Sequence, residues 1–272
     1  MARRAELRRL LPPGARCPAL ERNGYALLTD LGDARYAVII QALEGFQAEF
    51  LALTAGAWPP EYPIPGDALA HFSRQWEYPY TWVNAGPPGR VLDAGSGITF
   101  LPFLLSAAGF DVECCDDGGA LDFPGRYRDA ARRTGCDVRF TTCSLSALPH
   151  ADASFDAAVC VSVLEHTGQD APLIVSELAR VVRPGGRLVL TMDVDLGRDG
   201  GPRVEDAAAL LGELWAAFAP AHPVDLRRPA SLLTSRSFLG GADEWRLPPP
   251  WRRPGSPHFR SIAILAVTGI RS

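Results

Sequence analysis

The chain of 272 residues is long enough to bury one large hydrophobic core, and its 47% hydrophobic and 21% charged residues argue against extensive disorder. The formal net charge of −4 argues against a nucleic-acid-binding surface, which usually carries a basic excess. All 27 basic residues are arginine, which excludes covalent catalysis by lysine.

The six cysteines form neither a disulfide framework nor a zinc site in the sequence. No two of them make a CxxC pair, and no histidine stands near them at zinc-ligand spacing. The basic start lacks the apolar stretch of a signal peptide, and no apolar run of about 18 residues follows later. We therefore expect a reducing, cytoplasmic location without a membrane partner, while the oligomeric state stays open.

The first 87 residues predict a helical and aromatic extension, or lid, ahead of the main domain. Residues 1–22 are predicted to be a tail with a solvated, arginine-rich face. Residues 33–57 predict a helix, because apolar side chains recur every three or four positions. Four prolines in residues 55–66 end this helix, and the aromatic segment HFSRQWEYPYTWV follows.

Residues 88–272 alternate short apolar strands with helices, which predicts a Rossmann-like, doubly wound α/β domain with a mostly parallel sheet. The strands are apolar throughout, as expected when both faces are buried. The predicted strands are RVLDA, FDVECCD, DVRFTT, FDAAVCVSV, GRLVLTMDV and a closing FRSIAILAVTGI. The predicted helices are FLPFLLSAAG, GRYRDAARRTG, APLIVSELARVVRPGG and VEDAAALLGELWAAFA.

The first strand of this domain ends in the turn VLDAGSG, at the edge where an open parallel sheet usually binds its ligand. Gly95 and Gly97 let the backbone approach a ligand closely, because neither has a Cβ. A dinucleotide would need glycine in place of Phe100, and the carboxylate of Asp93 would repel its pyrophosphate. The turn therefore favours a cationic ligand such as S-adenosylmethionine, which carries an ammonium and a sulfonium.

A ligand that contains ribose also needs an acid at the end of the second strand, about 20 residues farther along. Asp116 lies at the end of FDVECCD, 23 positions after Asp93. Asp117 is the alternative, ranked second because neighbouring side chains of a strand point in opposite directions.

Four segments resemble, in order, the motifs of class I S-adenosylmethionine-dependent methyltransferases, in particular the small-molecule branch called type 11. They are VLDAGSG, DVECCD, LPHADASFDAAVCVSVLEH and LARVVRPGGRLVLT, within roughly residues 88 to 195. The resemblance implies S-adenosyl-L-methionine as cofactor, S-adenosyl-L-homocysteine as product and a small-molecule acceptor. It also implies a seven-stranded sheet that ends in an antiparallel hairpin, with a weaker strand near ADEWRL.

Carried over by position, this resemblance implies specific cofactor contacts. Those to the methionine half fall on Asp93, Gly95, Ser96 and Gly97. The ribose acid falls on Asp116. The acid that bonds adenine in the family is replaced by Ser144, so its hydroxyl or the backbone of Leu145 would serve. Thr99 stands where the family often has a third glycine.

Methyl transfer from a sulfonium depends mainly on alignment and exclusion of water, so a general base is optional. His166 is the candidate base, because it follows the fourth strand at the ligand edge and imidazole titrates near neutrality; capping of the next loop is the alternative. Glu165 is a candidate cofactor contact and Asp193 a candidate acceptor contact. These acids do not by themselves form a ligand set, so we expect no metal site.

Trp76, Tyr78 and Tyr80 precede the first strand of the main domain. They are candidates for the wall of the acceptor pocket, and they could equally pack the extension onto the sheet.

Two other functions fit the same fold. A nicotinamide or flavin oxidoreductase is disfavoured by Asp93 and Phe100, and a non-catalytic binding module is disfavoured by the intact glycines and Asp116.

Overall fold

The computed structural model describes residues 2–14, 16–58, 69, 71–118, 121–196, 204–238 and 262–272. Strands from both halves of the chain form one nine-stranded sheet. Successive residues of its strands belong to two separate hydrophobic clusters, as Val91 and Leu92 do, so both faces of the sheet are covered. The strand expected near ADEWRL lies outside the described residues.

The parallel part of the sheet confirms the doubly wound fold. Its strands are β2 (Arg90–Ala94), β3 (Asp111–Asp116), β4 (Val138–Thr142), β5 (Phe155–Val161) and β6 (Val182–Asp195). They lie in the order β4-β3-β2-β5-β6, and each neighbouring pair is parallel. The order reverses at β2, and the carboxyl ends of β2, β3 and β5 meet beside that point.

The helices between these strands follow the predicted segments closely. They are α5 (Leu101–Ala108), α6 (Phe123–Thr134), α7 (Ala171–Val181) and α8 (Val204–Ala217). The strand β6 begins four positions before the predicted Gly186, because Val182 already pairs with Phe155 of β5. The Gly-Gly pair that was expected to stop α7 therefore lies within the strand.

The last part of the sheet is mostly antiparallel and larger than expected. The strand β9 (Ile262–Arg271) runs antiparallel to β6, to β7 (Phe218–Pro220) and to β1 (Asn23–Tyr25). The strand β1 in turn pairs in parallel with β8 (Val224–Asp225). Within the described residues the sheet thus has nine strands rather than the expected seven. The N-terminal segment supplies one of them, and the side-chain amide of Asn23 ties it to β9: it donates to the Thr268 carbonyl at 3.2 Å and accepts from the Thr268 N–H at 2.7 Å.

The N-terminal segment is packed onto the domain from its first residues. It contains the helices α1 (Ala2–Arg9), α2 (Leu28–Leu31), α3 (Ala34–Leu53) and α4 (Phe72–Asn84). The remaining short helix, α9 (Ser235–Phe238), precedes β9 and lies outside this segment. The prediction of a tail over residues 1–22 is wrong, because Leu7, Cys17 and Leu20 are fully buried. Arg4 also donates to the backbone carbonyl of Ser106 on α5 at 2.6 Å.

The aromatic segment forms α4, although Pro79 stands in the middle of it. A proline inside a helix leaves the carbonyl four residues earlier without its donor. Here that carbonyl belongs to Gln75, and the Tyr36 hydroxyl donates to it at 2.9 Å. The helix therefore continues through the proline.

By length and composition alone, α3 could cross a membrane. In the structure its side chains Ile39, Leu43 and Phe46 are buried in the core. A core helix passes the same test of length and composition, so this finding is weak evidence for a membrane span.

Candidate functional site

A cavity of about 650 Å³ opens at the carboxyl ends of β2, β3 and β5. Ten of the residues predicted to form the site line it: Tyr78, Asp93, Gly95, Ser96, Gly97, Asp116, Asp117, Ser144, Leu145 and His166. The N-terminal helix α4 supplies Arg74 and Tyr78 to the same lining as Asp116 and Ser144. Residues distant in sequence therefore meet around one space.

The glycine turn after β2 can only be built with glycine at position 95. Gly95 has a φ of +75°, and a Cβ on it would stand 2.5 Å from Cγ2 of Val163. Its N–H donates to the Cys115 carbonyl at 2.7 Å, which ties the turn to β3. The turn therefore has two requirements, a left-handed backbone and room for Val163.

Asp93 is buried beside this turn, and its Oδ2 has no hydrogen-bond partner among the described residues. Burial and the neighbouring Asp116 carboxylate raise the pKa of Asp93 to about 7, although Arg74 acts in the opposite direction. A buried carboxylate without a partner is costly unless a ligand or a proton compensates it. The position thus suits the cationic part of a ligand.

Asp116 at the end of β3 is tied to the same turn. Its Oδ2 accepts a hydrogen bond from the Gly97 N–H at 2.9 Å, while the Tyr127 hydroxyl donates to the Gly97 carbonyl at 2.8 Å. Burial raises the pKa of Asp116. The carboxylate is held at the cavity wall, with Asp117 beside it, where both could accept hydrogen bonds from a diol.

The loop after β4 provides the next part of the wall. Ser144 and Leu145 line the cavity, and the Ser144 hydroxyl lies 2.9 Å from the Ser146 hydroxyl. This serine remains exposed, so its hydroxyl is accessible to a ligand. No carboxylate occupies this position, in keeping with the replacement noted in the sequence.

Arg74 and Glu77 of helix α4 form a buried ion pair that was not predicted from the sequence. Arg74 Nη1 donates to Glu77 Oε2 and, at 2.6 Å, to the Ser162 hydroxyl. Glu77 Oε1 accepts from the hydroxyls of Ser162 and Thr191, both at 2.6 Å. Ser162 has a φ of +51°, and this network holds it in that conformation.

The signal for this pair was present as arginine and glutamate three positions apart in RQWE. That spacing brings side chains together only on a helix, and the aromatic segment was not predicted to be helical.

His166 lies in a 3₁₀ turn, Leu164–His166, directly after β5. It lines the cavity, and burial together with the charge of Arg74 lowers its pKa. The ring is therefore neutral at physiological pH and able to accept a proton.

Glu165 and Asp193 do not line this cavity, in contrast to their predicted roles. Glu165 Oε1 accepts a hydrogen bond from the Asp193 N–H at 3.0 Å, so it is directed to the end of β6. Burial raises the pKa of both carboxyls, that of Asp193 to about 7. Among the residues that the structure describes, no group of three or more His, Cys, Asp or Glu could hold a metal ion.

Trp76 and Tyr80 pack the extension onto the sheet and do not line the cavity. Their rings stack at 4.9 Å between centroids. The Trp76 indole N–H donates to Asp30 at 2.9 Å, and the Tyr80 hydroxyl lies 3.0 Å from the Thr268 hydroxyl on β9. Tyr78 points the other way, because it lies one helical turn after Arg74 on the cavity side.

Residues 92–190 match the family described as "Methyltransferase domain". Among curated relatives, a demethylmenaquinone methyltransferase from Renibacterium salmoninarum is 34% identical over 135 residues, which is 48% of this chain and 53% of the relative. An uncharacterized methyltransferase from Mycolicibacterium gilvum is 38% identical over 112 residues, 41% of this chain and 42% of the relative. The chain thus aligns with only about half the length of these relatives.

Solved structures with similar folds include one that is described as a cyclase. The [4+2]-cyclase SpnF is 18% identical with a TM-score of 0.51, covering 85% of this chain and 95% of its own. The MccD protein is 10% identical with a TM-score of 0.53, covering 72% of this chain and 96% of its own. At this level of identity the similarity establishes the fold alone.

Proposed function

We propose that this protein transfers the methyl group of S-adenosylmethionine to a small organic acceptor, because residues 92–190 match the methyltransferase domain family. The observation that carries the proposal is the buried carboxylate of Asp93, which lacks a partner beside a turn that only glycine can form. A pyrophosphate would be repelled there, whereas a cationic donor neutralises the carboxylate.

The donor would occupy the half of the cavity between the glycine turn and the loop after β4. Asp93, Gly95, Ser96 and Gly97 border its methionine part, and Asp116 with Asp117 accepts hydrogen bonds from the ribose hydroxyls. Ser144 and the backbone of Leu145 border the adenine. When bound, S-adenosylmethionine supplies an electrophilic methyl group whose leaving group is a neutral thioether.

The chain contributes alignment and a dry environment to an in-line displacement. The α4 side chains Arg74 and Tyr78 also line the cavity. We assign them to the acceptor, because the proposed donor contacts do not use them. His166 borders the same space, and its neutral ring can take a proton from an acceptor hydroxyl or amine. The base is optional, since an acceptor that is already ionised has no proton to lose.

A small acceptor is favoured by the cavity volume of about 650 Å³, which must hold the donor as well. The curated relatives named demethylmenaquinone methyltransferases support an organic acceptor of this kind. The acidic net charge supports neither nucleic acid nor a membrane surface as partner. We place the reaction in the cytoplasm on the basis of the reduced cysteines.

Calorimetric titration with S-adenosylhomocysteine tests this function. We expect micromolar or tighter binding to the wild-type protein, no binding of NAD or FAD, and loss of binding in Asp93→Asn and Asp116→Ala. Matched control substitutions on the surface, such as Asp152→Asn, should leave the affinity unchanged. Binding of NAD in place of S-adenosylhomocysteine would support the oxidoreductase, and binding of neither would refute the proposal.

Catalysis is tested separately, by measuring S-adenosylhomocysteine released from S-adenosylmethionine with a panel of quinols, phenols, amines and organic acids. A protein that binds the cofactor but turns over none of them would favour the non-catalytic binding module.

A further inference from the structure

The wall of the cavity contains one fixed positive charge. Among the described residues that line the cavity, Arg74 is the one arginine, and the sequence has no lysine. The acids in the same wall are Asp93, Asp116, Asp117 and Asp170. Under the proposed function Asp93, Asp116 and Asp117 contact the donor, which leaves Arg74 as the cationic side chain available to the acceptor.

The orientation of Arg74 is set by one of its three nitrogens. Within the described part of the chain, its hydrogen bonds to Glu77, Ser162 and Ser73 all use Nη1. A guanidinium carries five N–H donors, so those of Nη2 and Nε are available to a ligand. The side chain is 12% exposed, and its accessible part lies in the cavity wall.

Glu77 does not remove the ability of Arg74 to bind an anion. Glu77 is completely buried, and one of its oxygens is already used by the hydroxyls of Ser162 and Thr191. The pair is neutral as a whole, but Arg74 lines the cavity and Glu77 does not. An anion on the open edge would make a second, charge-assisted contact in the fork geometry that arginine offers.

We propose that Arg74 recognises the acceptor, and that the acceptor carries an ionised oxygen, as a carboxylate or as the oxyanion of an acidic phenol or enol. The inference rests on the proposed function and specifies its substrate class. Nη2 and Nε hold the ionised oxygen, and Tyr78, one helical turn farther along α4, borders the attached ring or chain. Recognition of this kind rejects uncharged analogues, because they leave the arginine edge desolvated without a partner.

The test uses calorimetry at pH 8, where His166 is neutral, on protein saturated with S-adenosylhomocysteine. The probes are two matched pairs: benzoate with benzamide, and 4-nitrophenolate with 4-nitroanisole. We expect each anion to bind about tenfold or more tightly than its neutral partner, a difference of about 1.4 kcal/mol. Equal binding within both pairs, or no binding of either anion, would overturn the proposal.

Two variants separate recognition by Arg74 from a structural role. Glu77→Gln keeps the side-chain oxygen that accepts from the Ser162 and Thr191 hydroxyls. It removes the negative charge that balances Arg74, so anions should bind more tightly. Arg74→Gln/Glu77→Gln removes both charges without leaving a buried unpaired one, and it should abolish the preference for anions. The affinity for S-adenosylhomocysteine and the melting temperature show whether each variant is folded.

If the double variant does not fold, Arg74→Lys retains the ion pair and lacks the planar edge, so it should lower the affinity for benzoate about threefold or more. An undiminished preference for anions in the double variant, or in Arg74→Lys if the double variant does not fold, would overturn the proposal. Failure of the wild-type protein to bind S-adenosylhomocysteine would refute the proposed function itself. Binding of S-adenosylhomocysteine without anion preference would refute only the role of Arg74.

Discussion

The side chain of Val163 occupies the space that a Cβ on Gly95 would need, with Cγ2 only 2.5 Å from that position. Gly95 belongs to the turn after β2, and Val163 follows β5, so the contact joins two strand ends at the cavity. The φ of +75° at Gly95 adds a second restriction. The turn is thus fixed by its neighbour as well as by any ligand it binds.

We expect Gly95→Ala to lower the free energy of unfolding by about 2 kcal/mol, because alanine is strained in a left-handed conformation and also clashes with Val163. It should also weaken S-adenosylhomocysteine binding by displacing the turn. Gly45→Ala is the matched control. Gly45 lies within helix α3 with no atom within 4 Å of an added Cβ, so this change should stabilise by about 0.5–1 kcal/mol.

Chemical denaturation and calorimetry measure the two effects. Equal stability of the two alanine variants would contradict the role assigned to the turn.

Binding of the methyl donor should depend on pH through Asp93, whose pKa is raised to about 7. Protonation below that pH removes the negative charge that attracts the donor, so the dissociation constant should rise by up to about tenfold per pH unit as pH falls. A bound cation lowers this pKa, and binding near pH 7 should therefore release a proton. Arg74 and Asp116 face the same carboxyl, with opposite effects on it.

Titrations in buffers of different ionisation enthalpy count the protons released. Asp93→Asn should bind weakly and with a flatter pH profile, whereas a wild-type affinity that is constant from pH 6 to 8 would disprove the assignment.

Stability should decrease as pH rises towards 7 because of Asp193. Burial and the nearby Glu77 raise its pKa to about 7, while Arg74 opposes them. An acid whose pKa is higher in the folded than in the unfolded protein binds more protons when folded, so unfolding becomes easier between the two values. Asp193→Asn removes this penalty and should raise the melting temperature relative to wild type at pH 8 more than at pH 5.

The comparison of melting temperatures at these two pH values measures the effect. Glu165 is kept unchanged in this variant, because its Oε1 accepts a hydrogen bond from the Asp193 N–H. A gain that is equal at both pH values would show that Asp193 does not titrate in this range.

The Tyr36 hydroxyl should stabilise helix α4 by satisfying the carbonyl that Pro79 leaves free on Gln75. Tyr36→Phe leaves that carbonyl without a donor and should cost about 1–3 kcal/mol. Tyr25→Phe is the control, because the buried Tyr25 has no hydroxyl hydrogen bond among the described residues. Urea denaturation of the two variants measures the difference, and equal losses would argue against this function of Tyr36.

Most of the parallel sheet was predictable from the sequence. Strands buried on both faces are continuous apolar runs, and β2 was predicted at its observed bounds, Arg90–Ala94. The strand β6 was predicted to begin later, because its first residues include Pro184 and two glycines that usually end a strand. Pairing of Val182 with Phe155 outweighs that local preference.

The residues that we propose for the donor could be inferred from the sequence by itself. Asp93, Gly95 and Asp116 lie at the ends of neighbouring strands, so their spacing along the chain fixes their proximity once the strands pair. Their chemistry could be inferred from residue type, because a carboxylate beside a glycine turn selects the charge of the ligand.

Only the tertiary structure brought Arg74, which we propose as the acceptor contact, to the cavity. Arg74 meets Ser162 across 88 positions of sequence, and Trp76 and Tyr80 turn away from the cavity while Tyr78 faces it. The direction of these side chains depends on α4 being helical through Pro79, where the distant Tyr36 hydroxyl donates to the Gln75 carbonyl. Contacts between segments far apart in the chain leave no regular spacing in the sequence. They could therefore be identified only from the packing of helix α4 against the sheet.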